Sequence, residues 1–521
     1  MGRSDKALLA AFLLAAALGT WTRCLMHEDG AVILSAGWFG SIWDLYISQI
    51  ASRAVAVFAM HGPAWLARAA FNLDAGAYLT LAHVLYFAVP LVLWGVLRAV
   101  ERDRLFSRLY LALALAMIYF PAELIFGIGV WLIWLALVSD QARSTAGVVL
   151  ATLLLGAVMA FTHPALALMG LFFVAAGLAL PLFGQHLPTR SLVAVAALSV
   201  ALLAFYLAAA RWLPPTNPTD GGSQVANRFA YVSPVWMLKT LMYFPMLAVL
   251  WFLLLVPAAD TLRLRWRFLP LAILAIAAFG LWCAVAGTSL KTSTWTRHTG
   301  IYAMTLALVF ALPAPAEWLR RAERPLILFA AIVAVSALSF NVDLWLFGRF
   351  IDRELKPGIV DAATIAAPWP SKRPEPAAVR ILFKFGVGKE YVRDGVMPSY
   401  DWSRIPLAFY TYFRSDRQGA LFHPLGGGAE WRPYECPAVE RVLAHARDAQ
   451  DRQFLEFLAQ HYCAARSPGT SMPLRSRVPP TLAAADGAQF RQGNKAHLAR
   501  SCGWADPGDR ASPSSLMPAP W

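Results

Sequence analysis

Up to about residue 350 the chain is a succession of apolar runs separated by short polar breaks. Beyond that point Pro, Gly, Arg and Asp become common, and no run is long enough to span a bilayer. A hydrocarbon core of about 30 Å takes about 20 apolar helical residues. On that measure the pattern predicts eleven spanning helices, near 7–23, 76–99, 109–121, 124–139, 145–162, 165–184, 191–211, 237–258, 268–287, 299–315 and 325–347. The run 109–139 is divided because Pro121-Ala122-Glu123 stands at its middle, where a carboxylate is costly. A turn there takes Glu123 to an interface; one long kinked span is the alternative. His163-Pro164 divides 145–184 in the same way. The expected fold class is an α-helical polytopic membrane protein with about 11 transmembrane helices and a small mixed α/β C-terminal domain outside the membrane. Its expected divisions are a membrane module over 1–349 with a long first outer loop at 24–75, a soluble domain over 350–466, and a loosely ordered tail over 467–521.

Composition narrows the class. Hydrophobic residues are 58% of the chain and charged residues 15%, against roughly a quarter charged in a soluble domain. This excludes a disordered chain, a collagen-like fibre and a small disulfide knot, and argues against a soluble enzyme. A net charge of +14 would point to nucleic acid in a soluble domain. Here the cations fall in alternate breaks between runs: Arg3 and Lys6; Arg98, Arg102, Arg104 and Arg108; Arg143; Arg190; Arg263, Arg265 and Arg267; Arg320, Arg321 and Arg324. That is the positive-inside pattern, so a nucleic-acid partner is not expected. It predicts a cytoplasmic N-terminus and, after eleven spans, an outer C-terminal region. The expected location is a bacterial inner (plasma) membrane, with the first span retained rather than cleaved.

Three outer segments are polar enough to hold chemistry. The first loop opens with His27-Glu28-Asp29, continues through Trp43-Asp44-Leu45-Tyr46, and reaches His61-Gly62-Pro63 after Arg53. Its stretch 42–57 reads as an amphipathic helix lying in the interface. The second segment, 212–236, carries Arg228; the third, 288–298, runs from Lys291 to Arg297-His298. Glu28 and Asp29, where a helix leaves the bilayer, have two readings: an interfacial turn, or a general base for an acceptor hydroxyl. Carboxylate oxygens there could also hold a divalent cation. Lys291, Arg297 and His298 either meet lipid phosphates or form an anion site that takes a phosphate leaving group. Glu123 and His163 are further site-lining candidates, as are Asp44 and Arg228. For His163 a helix-ending turn is the preferred alternative, and His83 reads as an interhelical hydrogen-bonding residue.

In the tail, 378–387 and 405–413 read as strands and 437–465 as helical, with Leu455, Phe457 and Leu458 on an apolar face. Cys436, Cys463 and Cys502 allow one disulfide and one leftover thiol; Cys436–Cys463 and Cys463–Cys502 both remain open.

The membrane half resembles the GT-C superfamily of polytopic glycosyltransferases. The features that carry the likeness are many spans with the N-terminus inside, the acids of His27-Glu28-Asp29 just after span one, amphipathic stretches in that first loop, and the basic motif Arg297-His298-Thr299-Gly300-Ile301-Tyr302 before a late span. A soluble outer C-terminal domain is also common in that family. The resemblance implies a lipid-linked sugar donor and a glycan or lipid acceptor. It makes Asp29 or Glu28 the catalytic base or a metal ligand, and Arg297, with His298 or Lys291, the donor-phosphate site. The rival classes are a transporter or flippase of a phosphate-bearing lipid or glycan, an envelope polysaccharide ligase or polymerase, and a structural membrane subunit.

Overall fold

A computed structural model describes residues 2–26, 53–119, 123–140, 144–163, 165–212, 305–354, 358–361, 420–423 and 449–458. It also describes positions 30, 33, 34, 37–39, 142, 250, 443 and 446. The chain divides into two compact units, Met1–Ala465 and Arg466–Trp521. The second unit lies outside the described residues.

The first unit is built of helices: α1 (Arg3–Thr22), α2 (Ala54–Phe71), α3 (Ala75–Val100), α4 (Leu105–Ala116), α5 (Leu124–Ser139), α6 (Thr145–Ala160), α7 (Ala165–Ala179), α8 (Thr189–Trp212), α9 (Pro315–Glu354) and α10 (Ala449–Leu458). A 3-10 turn at Leu180–Phe183 extends α7. Two short strands, Gly358–Asp361 and Ala420–His423, pair in parallel with Gly358 opposite Ala420. Six helices are long and apolar enough to cross a membrane: α1, α2, α3, α7 with its extension, α8 and α9. This is the build of an α-helical membrane protein.

Helices α1 and α9 run side by side in the same direction. Ser4 donates from its backbone N (2.9 Å) and its Oγ (2.7 Å) to the carboxylate of Glu323. At the other end, the Thr22 hydroxyl donates to the Asn341 side-chain oxygen. Both pairs are 319 residues apart in sequence, so the two helices keep one register over about five turns. Leu8, Phe12 and Ala15 of α1 and Leu326, Phe329, Val333 and Ala337 of α9 are buried between them and their neighbours.

The near end of the bundle, where Ser4 lies, is tied by charge. Buried Asp5 receives Arg108 Nε at 2.6 Å and Arg98 Nη1 at 3.2 Å, and Arg108 Nη1 reaches Glu323 at 3.3 Å. Four helices (α1, α3, α4 and α9) thus meet in one ion network. Glu101 caps α4, accepting the N–H groups of Phe106 (2.8 Å) and Ser107 (3.0 Å).

Among the described helices, α4 and α5 are buried along nearly their whole length, and of the two α5 carries no charged residue. It is apolar on every side, as a fully enclosed membrane helix should be. Trp131 and Trp134 are buried, and the Trp134 indole donates to Thr152 Oγ1 at 2.9 Å. Gly129 lets α3 and α4 close in: a methyl there would lie 2.7 Å from Leu93 Cδ1 and 2.9 Å from Tyr110 Cζ. Helices α7 and α8 are antiparallel, with Gly170 against Ser199 and Gly177 against Leu192. Tyr206 of α8 donates to Met159 O (2.9 Å) at the far end of the bundle.

The predicted break at Pro121–Glu123 is present, because α4 ends at Ala116 and α5 starts at Leu124. The break at His163-Pro164 falls between α6 and α7. The predicted spans at 237–258 and 268–287 lie outside the described residues; of 299–315, the portion 305–311 is helical. The strands expected at 378–387 and 405–413 and the three tail cysteines also lie outside them. Within the expected helix at 437–465, α10 is helical and Leu455 is buried.

Most of the helix expected at 42–57 lies outside the described residues, whereas within the expected first outer loop residues 54–71 form the 18-residue α2, with Pro63 inside it. It lies antiparallel on the first half of α3, where the His61 ring stands 5.6 Å from that of Tyr86. The pattern His61-Gly62-Pro63 looks like a helix break. It is tolerated because His61 and Gly62 face the buried side, and because a proline frees few backbone groups when a neighbouring helix covers them.

Candidate functional site

The far end of the bundle gathers the described candidate residues. Helix α4 ends at Ala116 and α5 begins at Leu124. The Tyr119 hydroxyl donates to the carbonyl of Ala15 (2.8 Å) and accepts from Asn341 Nδ2 of α9 (2.6 Å), and its ring lies against Gly19, so Tyr119 packs on the last turns of α1 and on α9.

Glu123 is the residue preceding α5. It is 4% exposed, and its Oε2 lies 3.7 Å from Nη1 of Arg53. The charge partner that accompanies its burial is Arg53, just ahead of α2. The N–H of Val55 donates to Phe161 O at 3.0 Å, which sets the start of α2 against the end of α6. Two residues further on, His163 is buried and its Nδ1 accepts the N–H of Ala165 at 3.1 Å. It caps the start of α7, where the sequence reading has it end the helix before.

Arg53 is the residue that local sequence reasoning misses. Its partner is 70 positions away, so no spacing rule joins them; the available signal is an arginine on the cation-poor side of the pattern. His83 behaves as expected. Its Nδ1 donates to Leu79 O at 2.7 Å, and its Nε2 accepts the N–H of Leu25 at 3.2 Å. His61 is buried on the opposing face of α2.

The described residues of the first loop make aromatic and polar contacts. Arg68 and Trp38 are both buried, with the guanidinium carbon 4.2 Å from the indole ring centroid. Trp38 Nε1 donates to Asp451 of α10 at 3.1 Å, and the Tyr78 hydroxyl donates to Leu34 O at 2.8 Å. The C-terminal helix thus touches the first loop directly.

Seven of the predicted site residues lie outside the described residues: Glu28, Asp29, Asp44, Arg228, Lys291, Arg297 and His298. The remaining two, Glu123 and His163, are both buried. Among the described residues, no three His, Cys, Asp or Glu side chains stand close enough together to hold a metal ion. No protein-family model matches the chain, and no curated protein or solved structure matches it either.

Proposed function

We propose that this membrane protein is a glycosyltransferase of the GT-C type, which moves a sugar from a polyprenyl-phosphate donor to a glycan or lipid acceptor on the outer face of a bacterial inner membrane. The observation that carries this reading is the buried Arg53–Glu123 pair. Ionisable residues held within the membrane portion of a protein mark substrate paths by default. An arginine so placed suits the phosphate of a lipid whose tail stays in the bilayer.

In the reaction, the acceptor hydroxyl attacks the anomeric carbon as Asp29 or Glu28 takes its proton. The bond from that carbon to the lipid-phosphate oxygen breaks, and Arg297, with Lys291 or His298, stabilises the departing phosphate. A single displacement inverts the anomeric centre. Glu123, His163, Asp44 and Arg228 line the path. The first-loop carboxylates are the groups able to hold a divalent cation. The C-terminal region completes the outer face as a small α/β domain.

The direction of the helices supports the expected span count. Helix α8 ends at the far end of the bundle, beside Met159, while α9 begins at the near end, beside Ser4 and Arg108. The chain between them must change ends, which takes an odd number of crossings; three are expected over 237–315.

The test is transfer from a polyprenyl-phosphate sugar by the purified protein in bilayers. Asp29→Asn and Arg297→Ala should each abolish transfer with unchanged expression. Wild-type rates in both variants, or transport of the lipid without transfer, overturn the reading.

A further inference from the structure

Two buried side chains of opposite charge share one indole beside the α2–α3 hairpin. Arg68, in the last turn of α2, and Asp451, in the first turn of α10, are each 1% exposed. Arg68 stands over the face of Trp38, with its guanidinium carbon 4.2 Å from the ring centroid. Asp451 meets the edge of the same ring, where its Oδ1 accepts the indole N–H at 3.1 Å. A charge taken out of water needs a counterpart. Here the cation and the carboxylate are held on the face and the edge of a single side chain.

The two contacts reinforce one another. An N–H that donates to a carboxylate leaves more electron density on its ring, and that density is what draws a cation to the face. The ring is itself held in place. Tyr78, near the start of α3, lies 5.9 Å from it, and the Tyr78 hydroxyl donates to Leu34 O at 2.8 Å. Leu455, one turn after Asp451, is buried in the same apolar cluster as Trp38, while Arg452, Gln453 and Glu456 are exposed. Helix α10 therefore docks by one face, and Asp451 is the charge on that face.

We propose that Asp451 is the countercharge of Arg68, coupled to it through Trp38, and that this arrangement is a strap by which the C-terminal helix fastens the α2–α3 hairpin. The strap joins residues 413 positions apart in sequence, Trp38 and Asp451. Neutralising Asp451 takes opposing charge away from an arginine with little water around it. The end of α2 and the start of α3 then open more often, while the rest of the bundle opens as before. The inference does not rest on the glycosyltransferase reading.

The experiment uses the full chain in lipid nanodiscs, with Asp451→Asn, Trp38→Phe, Arg68→Met and the double variant Asp451→Asn with Arg68→Met. Asp451→Asn keeps an oxygen for the indole N–H and removes the charge. Trp38→Phe keeps a ring under Arg68 and removes the N–H. Thermal unfolding checks that each variant is folded. Amide hydrogen exchange is read on peptides covering 64–82, and should rise about tenfold in Asp451→Asn and in Trp38→Phe while peptides from α5 stay unchanged. The double variant should exchange no faster than Arg68→Met alone, because the cation that Asp451 serves is already gone. Unchanged exchange over 64–82 in Asp451→Asn overturns the proposal, and so does an equal rise in α5. A double variant whose effect is the product of the two single ones also overturns it, since independent sites combine in that way. Should Arg68→Met not fold, Asp451→Asn and Trp38→Phe decide the strap by themselves.

Discussion

Arg53 and Glu123 are held together where neither is easily solvated. Glu123 is 4% exposed and Arg53 19%. Deleting one partner of such a pair takes an opposing charge away from a group with little water around it, which costs about 3 kcal/mol, near the low end for buried pairs. Glu123→Ala or Arg53→Ala should therefore lower the thermal midpoint in detergent. A matched apolar pair, Arg53→Met with Glu123→Leu, should restore most of it but not the transfer activity. If the double variant is as unstable as either single one, the pair is not the source of the loss. At this scale the sequence reveals only what is local. Glu123 stands out because it interrupts an apolar run, and His83 because it is alone in one. His163 next to a proline reads as a helix boundary, and the structure uses it to cap one. Arg53 has no such local contrast, and the buried Asp5 looks like an ordinary first-turn acid until Arg98 and Arg108 are seen to close on it.

The elements follow from hydrophobic length and from their caps. Helix α4 begins at Leu105 because Glu101 takes up two of its free N–H groups. Burial pushes the Glu101 carboxyl above its ordinary range, against the opposing pull of Ser107, Phe106 and the Arg98 charge. A carboxyl whose folded-state pKa is raised binds its proton more tightly folded than unfolded. Its contribution to stability is present in full below the unfolded pKa and is lost as pH rises through the folded one. Glu101→Gln lacks that titration. The wild type should thus lose stability relative to Glu101→Gln as pH climbs out of the usual carboxylate range, and the gap should then level off. Thermal unfolding of both proteins across a pH series measures it; a gap that moves the opposite way shows that the capping bonds outweigh burial. The same local logic makes the breaks at Pro121 and His163 readable. It fails for α2, where His61-Gly62-Pro63 carries every mark of a loop. What makes that stretch helical is the face it buries on α3 (Ala56, Val57, Met60, His61, Ala64 and Arg68), and a face acquires meaning only when its partner is known.

At the scale of the molecule, the governing fact is the pairing of the first helix with α9. Because Ser4 meets Glu323 and Thr22 meets Asn341, the N-terminal helix is enclosed by the chain that closes the bundle more than 300 residues later. Such a core assembles only after most of the membrane module has been made. Nothing in the amphipathic pattern of either helix names the other; periodicity gives the buried face, and only the two end contacts set direction and register. In a variant without native cysteines, Ser4→Cys with Glu323→Cys should form a cross-link on mild oxidation, as should Thr22→Cys with Asn341→Cys. Ser4→Cys with Asn341→Cys should not, since about 27 Å of helix separates those levels. The ends should also differ in sidedness. Asp103→Cys and Glu317→Cys lie at the Asp5 end and should react with a membrane-impermeant maleimide from one side of the membrane only, which the cation pattern makes the cytoplasm. Asn72→Cys, at the tip of the α2–α3 hairpin, should react from the opposite side. If Asn72→Cys and Glu317→Cys label from the same side, then α3 and α9 do not connect the two membrane faces, and the proposed outer placement of the Arg53–Glu123 pair is overturned.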